Sequence, residues 1–321
     1  MTNSSWREAR VVAVADLTPD TRSLEIVSDR GFVAPASGAH LKVAVTIGGR
    51  PDTRCYSVYE ATDNGGYRIA VKRLALSRGG SAYMASLQPG ARLVVAGPEN
   101  AFPLTLARSD YLLVAGGIGV TPIFAHAKTL ARQGAPFRLL YAARRREELA
   151  LGSELAALLG PKLQTYVSNE DRRVDFTEAF AALAPEGEAY ICGPLAMLQA
   201  AQRAWAQAGR PRENLRFETF GASGAWQNET FRVDIPRLNK SFEVPADKTL
   251  LQALQDEGVA TISDCRRGEC GLCALPILGV EGVVDHRDVF FSDEEKRSNA
   301  KLCACVSRIH GARVILDTAD R

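Results

Sequence analysis

Cys265, Cys270 and Cys273 stand in the run Cys265-Arg266-Arg267-Gly268-Glu269-Cys270-Gly271-Leu272-Cys273, with four residues between the first two and two between the second pair. Further cysteines follow in Lys301-Leu302-Cys303-Ala304-Cys305-Val306-Ser307-Arg308. This is the spacing with which four thiolates hold a 2Fe-2S cluster, a group that takes up and releases one electron at a time. Gly268 and Gly271 fit a loop that must wrap such a core, because glycine reaches positive φ and lets backbone approach closely. A structural zinc site spaces its cysteines in paired knuckles, and only one pair here has that form. A disulfide framework needs an oxidising compartment, of which the chain gives no sign. The fourth ligand is Cys303 or Cys305. Cys303, with twenty-nine residues between it and Cys273, gives the commoner spacing.

A one-electron centre needs a source of electrons and a scaffold. The chain has 321 residues, enough for two or three domains, with 46% hydrophobic and 24% charged residues, as in globular proteins able to bury cores. A net charge of +2 gives no electrostatic case for nucleic acid or a membrane surface. Met1 to Glu8 lacks the apolar core of a signal peptide, and the longest apolar run, Tyr111 to Phe124, holds three glycines and is too short to span a bilayer. A cytoplasmic, monomeric protein is expected, its seven cysteines acting as ligands or buried thiols.

Through the first hundred residues short apolar segments alternate with turn residues: Val11–Val14, Ser23–Val27, His40–Val45, Tyr67–Val71 and Arg92–Ala96. Strands so punctuated predict an antiparallel barrel or sandwich. Arg54-Cys55-Tyr56-Ser57 lies on one of them, with Cys55 expected as a small buried filler. Arg78-Gly79-Gly80-Ser81 opens a short helical pattern, either a plain cap or a set of free N–H groups for an anion.

From about Asp110 strands and helices alternate, predicting a doubly wound α/β domain. Its first strand, Tyr111–Ala115, is apolar throughout, as in a parallel sheet buried on both faces. It runs into Gly116-Gly117-Ile118-Gly119-Val120-Thr121-Pro122, which departs from the six-residue dinucleotide fingerprint and on its own could be only a tight strand-to-helix turn. Strands follow at Phe137–Ala142, Leu163–Val167, Ala189–Cys192 and Leu215–Phe220. Cys192-Gly193-Pro194 alone reads as helix initiation beside a buried thiol. Gly221 to Thr230 reads as a flexible linker. Beyond it a hairpin turning near Asn239, a helix Thr249–Gln255 with Leu250, Leu251 and Leu254 inward, the cysteine loop and a last strand Arg313–Leu316 describe a β-grasp unit.

Several of these runs carry a resemblance. Asp285-His286-Arg287-Asp288, then Ser292-Asp293-Glu294-Glu295, then Cys305-Val306-Ser307-Arg308 resemble the C-terminal ferredoxin domain of the phthalate dioxygenase reductase family. Arg54-x-Tyr56-Ser57 with Gly80-Ser81, the Gly-Gly-x-Gly-x-Thr-Pro turn and Cys192-Gly193-Pro194 resemble the signatures of the wider ferredoxin reductase superfamily. The likeness covers nearly the whole chain, in the order flavin barrel (1–106), NAD domain (107–222), linker (223–230) and ferredoxin (231–321).

The resemblance implies roles. Cys305 becomes the fourth ligand beside Cys265, Cys270 and Cys273, the extra length being absorbed in a loop marked by Gly279 and Gly282. Arg54 would neutralise the flavin phosphate with Gly80 and Ser81, Tyr56 would pack on the flavin ring, and Ser57 would hydrogen-bond near its N5. Cys55, Ala70, Val71 and Lys72 complete the flavin-side set. Gly116, Gly117, Ile118, Gly119 and Thr121 would take the NADH pyrophosphate, with Cys192, Gly193 and Pro194 beside the nicotinamide and Phe220 covering the flavin until nicotinamide displaces it. Asp171, in Ser168-Asn169-Glu170-Asp171, suits the free ribose hydroxyls of NADH and repels the extra phosphate of NADPH, although Arg172, Arg173 and the run Arg144-Arg145-Arg146 pull the other way.

A C-terminal ferredoxin implies FMN, where relatives with an N-terminal one hold FAD. The implied activity is NADH-dependent electron transfer through FMN and 2Fe-2S to a terminal Rieske-type oxygenase acting on an aromatic or similar substrate. The alternative is the same architecture with FAD, or serving a cytochrome or a hydroxylase. A cofactor-bearing sensor without turnover is a third class. Arg266, Arg267 and Glu269 are candidate docking charges, or simply a solvated loop.

Overall fold

A computed structural model of the chain describes residues 6–29, 31–47, 49–74, 79–220, 226 and 228–318. Arg78 and most of the expected linker, 221–225 and 227, lie outside the described residues. Contacts divide the chain into two compact units, Met1–Gly193 with Ala200–Glu218, and Pro194–Gln199 with Thr219–Arg321.

The first unit begins with strands β1 (Arg7–Thr18), β2 (Thr21–Ser28), β3 (Ala39–Ile47), β4 (Arg50–Ala61) and β5 (Gly66–Lys72), a short helix α1 (Gly80–Ser86) and strand β6 (Arg92–Asn100). The strands close as an antiparallel barrel in the order β1-β2-β5-β4-β3-β6. Closure leaves no unpaired edge, and the period of two along each strand fills the inside with Val11, Leu24, Ile26, Leu41, Val43, Ile69 and Val95.

The same unit continues through β7 (Tyr111–Gly116), α2 (Val120–Arg132), β8 (Phe137–Ala143), α3 (Gly152–Leu159), β9 (Leu163–Val167), α4 (Phe176–Ala181), β10 (Glu188–Cys192), the part of α5 (Leu195–Gln207) from Ala200 onward, and β11 (Leu215–Glu218). All neighbouring strands are parallel in the order β11-β10-β7-β8-β9, so the winding reverses between β7 and β10. Every residue of β7 and β10 is buried, which explains the unbroken apolar run of Tyr111–Ala115 in β7; the one charge in β10, Glu188, is bonded to Tyr190 at 2.8 Å and to Arg216 at 3.1 Å.

Barrel and sheet share one core. Tyr59, Ala70 and Phe102 join the cluster built from Tyr111, Leu113, Ile123, Phe124 and Leu139, and Tyr59 meets the Phe124 ring edge-on at 5.9 Å. Lys72 reaches Glu148 at 3.0 Å, and Lys128 donates to Glu60. Burial acts to raise the Glu60 carboxyl, yet the hydrogen bonds from Lys128 and Arg68 hold it below the usual carboxylate range.

The second unit contains β12 (Phe231–Ile235), β13 (Lys240–Val244), α6 (Leu250–Asp256), β14 (Ala274–Asp285), α7 (Asp293–Ser298), β15 (Lys301–Cys303) and β16 (Arg308–Leu316), forming a sheet in the order β13-β12-β16-β14-β15. Thr249 caps α6 in a capping box with Gln252, and Leu250, Leu251 and Leu254 are buried as their spacing requires. Gly279 and Gly282 do not form a loop. They lie within the twelve residues of β14 at two register shifts against β16, and at Gly282 the backbones come so close that a Cβ would sit 2.4 Å from the His310 carbonyl oxygen. The extra length is thus taken up by bulges in the antiparallel pairing of β14 with β16, where glycine admits the partner backbone. Among the described residues no helix is long and apolar enough to cross a membrane.

His126 on α2 is fully buried, its ring edge-on to Tyr190 at 5.0 Å and its Nδ1 bonded to the Ser37 hydroxyl. Burial pushes its pKa from 6.5 down to about 3. The unfolded chain therefore takes up a proton near pH 6.5 that the folded chain refuses until far lower. The resulting stability is complete above about pH 6.5 and declines as pH falls, by up to about 1.4 kcal/mol per unit. Denaturation midpoints of the native protein should fall between pH 6.5 and 5 more steeply than those of His126→Phe; parallel curves would contradict this.

Candidate functional site

The cysteine loop is shaped by backbone geometry. Arg266, Gly268 and Gly271 all have positive φ, at 51°, 75° and 71°. A Cβ on Gly268 would stand 2.9 Å from the Asp288 Cα, and one on Gly271 would enter the Phe290 ring. The turn so formed aims three backbone N–H groups, from Arg267, Glu269 and Cys270, at the Cys265 sulfur, each at 3.4 Å. Donors converging on one sulfur are what an electron-rich cluster thiolate requires. All seven cysteines are free of disulfides.

Cys273 is tied to the other cysteine segment by the ladder between β14 and β15, which pairs Ala274 with Cys303, and by the Ala304 N–H donating to its carbonyl at 3.1 Å. Its thiol meets those of both Cys303 and Cys305; their hydrogen bonds draw Cys273 well below the usual thiol range and push the other two up. The two differ in their further neighbours. Cys303 ends β15 fully buried, near Asp288, whereas Cys305 sits in the following turn, near Cys265 and receiving the Gly268 N–H. Among the described residues no group of three or more His, Cys, Asp or Glu side chains is arranged to hold a single metal ion.

The residues around that turn explain the runs on which the resemblance rested. Asp288 is fully buried, accepts the Phe291 N–H at 2.9 Å and faces Lys296 and Ser307. Arg287 pairs with Asp285 at 2.7 Å and donates to the Trp226 carbonyl, while Arg308 donates to the carbonyls of Lys248, Glu229 and Pro245. These charges hold the cysteine turn in register. Helix α7 went unforeseen, although its capping box, Ser292 with Glu295, was legible in the sequence.

In the α/β sheet the glycine turn leaves the carboxyl end of β7, and Cys192-Gly193 leaves that of β10, at the reversal in strand order where such sheets bind ligands. The two meet: a Cβ on Gly119 would lie 2.2 Å from the Cys192 carbonyl oxygen and 2.9 Å from the Gly193 nitrogen. Gly117, at φ 53°, has nothing within 4 Å of the place its Cβ would take, and so leaves open space over the turn. Thr121 is buried, its hydroxyl donating to the Ile118 carbonyl at 3.1 Å, so it shapes the turn. Asp171, at φ 55°, follows a short turn after β9, where Arg146 is bound to Glu170 at 2.7 Å.

On the barrel, Arg54 and Tyr56 face the way of their partners Val43 and Leu41, and the Arg54 side chain crosses Gly80 so closely that a Cβ there would meet its Nε at 2.6 Å. Arg54 also pairs with Asp52 at 2.6 Å. Burial lifts the Tyr56 phenol well above its ordinary range. Ser57 is 5% exposed, and its Oγ has no hydrogen-bond partner among the described residues. An orphaned buried hydroxyl is costly unless a ligand satisfies it, and a flavin's polar edge would do so. The Ser81 hydroxyl accepts the Leu74 N–H at 3.3 Å. Ala70 and Val71 are core residues, and Lys72 is bound by Asp20 and Glu148.

Three expectations need correction. Cys55 is exposed, because the strand period puts it opposite Lys42 on the outer face. Glu269 and Arg267 are not free surface charges: they pair at 3.3 Å with side chains 18% and 13% exposed. Phe220 lies beyond β11, which ends at Glu218; it is 42% exposed.

A modular oxidoreductase joining a nucleotide-binding sheet to an iron-sulfur domain is the class this architecture defines. The profile of the oxidoreductase NAD-binding domain matches residues 113–203, and that of the 2Fe-2S iron-sulfur cluster binding domain matches residues 233–310. The heme-dependent oxidative N-demethylase beta subunit of Ectopseudomonas mendocina is 39% identical over 98% of this chain and 99% of its own. Phthalate dioxygenase reductase of Burkholderia cepacia is 33% identical over 96% of each chain. The solved structure of a phthalate dioxygenase reductase, described as modular for electron transfer from pyridine nucleotides to [2Fe-2S], aligns over 98% of both chains with a TM-score of 0.77 and 31% identity. The chain belongs to the phthalate dioxygenase reductase family.

Replacing each late cysteine by serine tests the ligand assignment. Cys305→Ser should lose the cluster's visible absorption and Cys303→Ser should keep it; the reverse would exchange the two assignments.

Proposed function

We propose that this chain is the reductase component that takes electrons from NADH and delivers them singly, through FMN and a 2Fe-2S cluster held by Cys265, Cys270, Cys273 and Cys305, to a terminal oxygenase of the Rieske type. The observation that carries the reading is the meeting of the Gly116–Gly119 turn with Cys192-Gly193 at the strand-order reversal, in a chain whose cysteine loop converges three N–H groups on one sulfur. NADH gives up two electrons together and the cluster takes one, so the flavin serves as the converter between them.

The protein's part is to bind, orient and exclude. The turn at Gly117 and Gly119 takes the pyrophosphate at the start of α2, and Ile118, Gly193 and Pro194 frame the crevice in which Cys192 lies beside the nicotinamide. Arg54, laid across Gly80 with Ser81 adjacent, holds the FMN phosphate, and Tyr56 packs on the ring. Ser57 offers its unpartnered hydroxyl to the polar edge of the flavin. Phe220 covers the flavin in the absence of nicotinamide. Asp171 favours NADH, and of the nearby arginines Arg146 is paired with Glu170 at 2.7 Å. Domain limits at 106, 222 and 230 follow from this division of labour.

A second reading of the acceptor draws support from the relative at 39% identity, whose name attaches it to a heme-dependent demethylase. In that reading the last electron goes to a haem protein.

Extraction and mass measurement of the flavin, with steady-state kinetics on both nicotinamides, tests the core of the proposal. It expects FMN and a clear preference for NADH; FAD or a preference for NADPH would contradict it. NADH-driven reduction of cytochrome c separates a working reductase from a sensor, which would show none.

A further inference from the structure

The ladder between β10 and β11 ends at the pair Cys192 and Glu218, and the next residue turns elsewhere. The Thr219 N–H donates to Glu269 Oε1 at 2.7 Å, and the Thr219 hydroxyl donates to the Arg267 carbonyl at 3.0 Å. Glu269 Oε2 pairs with Arg267 at 3.3 Å, so its carboxylate is used on both oxygens. The same residue donates its own backbone N–H to the Cys265 sulfur and immediately precedes Cys270. Thr219 in turn immediately precedes Phe220. One side chain therefore ties the peptide before Phe220 to the loop that surrounds a cluster sulfur. A carboxylate drawn this far from water is costly unless it is bonded, and here both oxygens are bonded within the chain.

We propose that Glu269 is a positioning residue for the step in which one electron leaves the reduced flavin and converts a ferric iron of the cluster to ferrous. Its carboxylate holds the segment bearing Phe220 in register with the cysteine loop, so that the aromatic ring and the N–H groups on Cys265 are set by one tether. The inference rests on the proposed reductase function and adds to it a residue that touches neither flavin nor nicotinamide in that scheme.

The test compares native holoprotein with Glu269→Ala and with Glu269→Gln, which keeps an oxygen acceptor for Thr219 but loses the charge. Amide exchange at Thr219 reports the tether without any turnover, and rapid mixing with NADH resolves flavin bleaching from the later bleaching of the cluster. In Glu269→Ala the Thr219 amide should exchange roughly tenfold faster or more, as a lost hydrogen bond to a charged group requires. Cluster bleaching should slow about tenfold relative to the flavin phase, as expected of a misplaced reacting pair, while Glu269→Gln stays within about twofold of native on both counts. Unchanged exchange and phase ratio in Glu269→Ala would overturn the proposal, as would equal impairment of the Gln variant, which would make charge and not tethering the cause. A native protein lacking the two phases would instead refute the reductase reading, whatever the exchange at Thr219.

Discussion

Four sulfurs from two distant stretches must be brought to one place and kept from closing on each other. In this chain the constraint is met by backbone. A loop with three positive-φ residues turns its N–H groups onto Cys265, and a short ladder from Ala274 to Cys303 fixes the second stretch against the first. Beneath them Asp288, Arg287 and Arg308 spend buried charge on carbonyls and N–H groups that no regular element satisfies. Such groups are costly to bury unpaired, so the network specifies a single arrangement of the turn.

The same economy operates in the first unit. Parallel strands buried on both faces leave their carboxyl ends as the place where chain polarity and free N–H groups coincide, and the reversal of winding between β7 and β10 opens a crevice there. Gly119 lets the two signatures approach to within a bond length or so of collision. The barrel is welded to this sheet by a common core around Tyr59, Phe102 and Phe124, so a flavin on the barrel strands and a nucleotide at the sheet would share one rigid frame. Ser57, buried with an unanswered hydroxyl, belongs to that frame.

Much of this was legible in the residues. The strand period marked the barrel, the unbroken apolar run of Tyr111–Ala115 marked a central parallel strand, and the Leu250, Leu251 and Leu254 spacing marked the inner face of α6. What escaped depends on long-range contact. Nothing local told that Cys55 would face outward opposite Lys42, since one residue of register inverts every side chain of a strand. Gly279 and Gly282 signal close backbone approach equally well in a loop and in a bulged strand, and only pairing with β16 decides. Glu269 reads as a surface charge until Thr219, fifty residues earlier, is found donating to it.

The central claim is that electrons enter this chain in pairs and depart one at a time. Anaerobic titration of the purified protein with NADH, followed in the visible spectrum, tests it most directly. The account predicts that flavin and cluster absorption both bleach, with an end point near about one and a half equivalents per chain, the three electrons that one flavin and one 2Fe-2S cluster hold together. An end point near about one equivalent with the cluster still oxidised, or no bleaching at all, would contradict it.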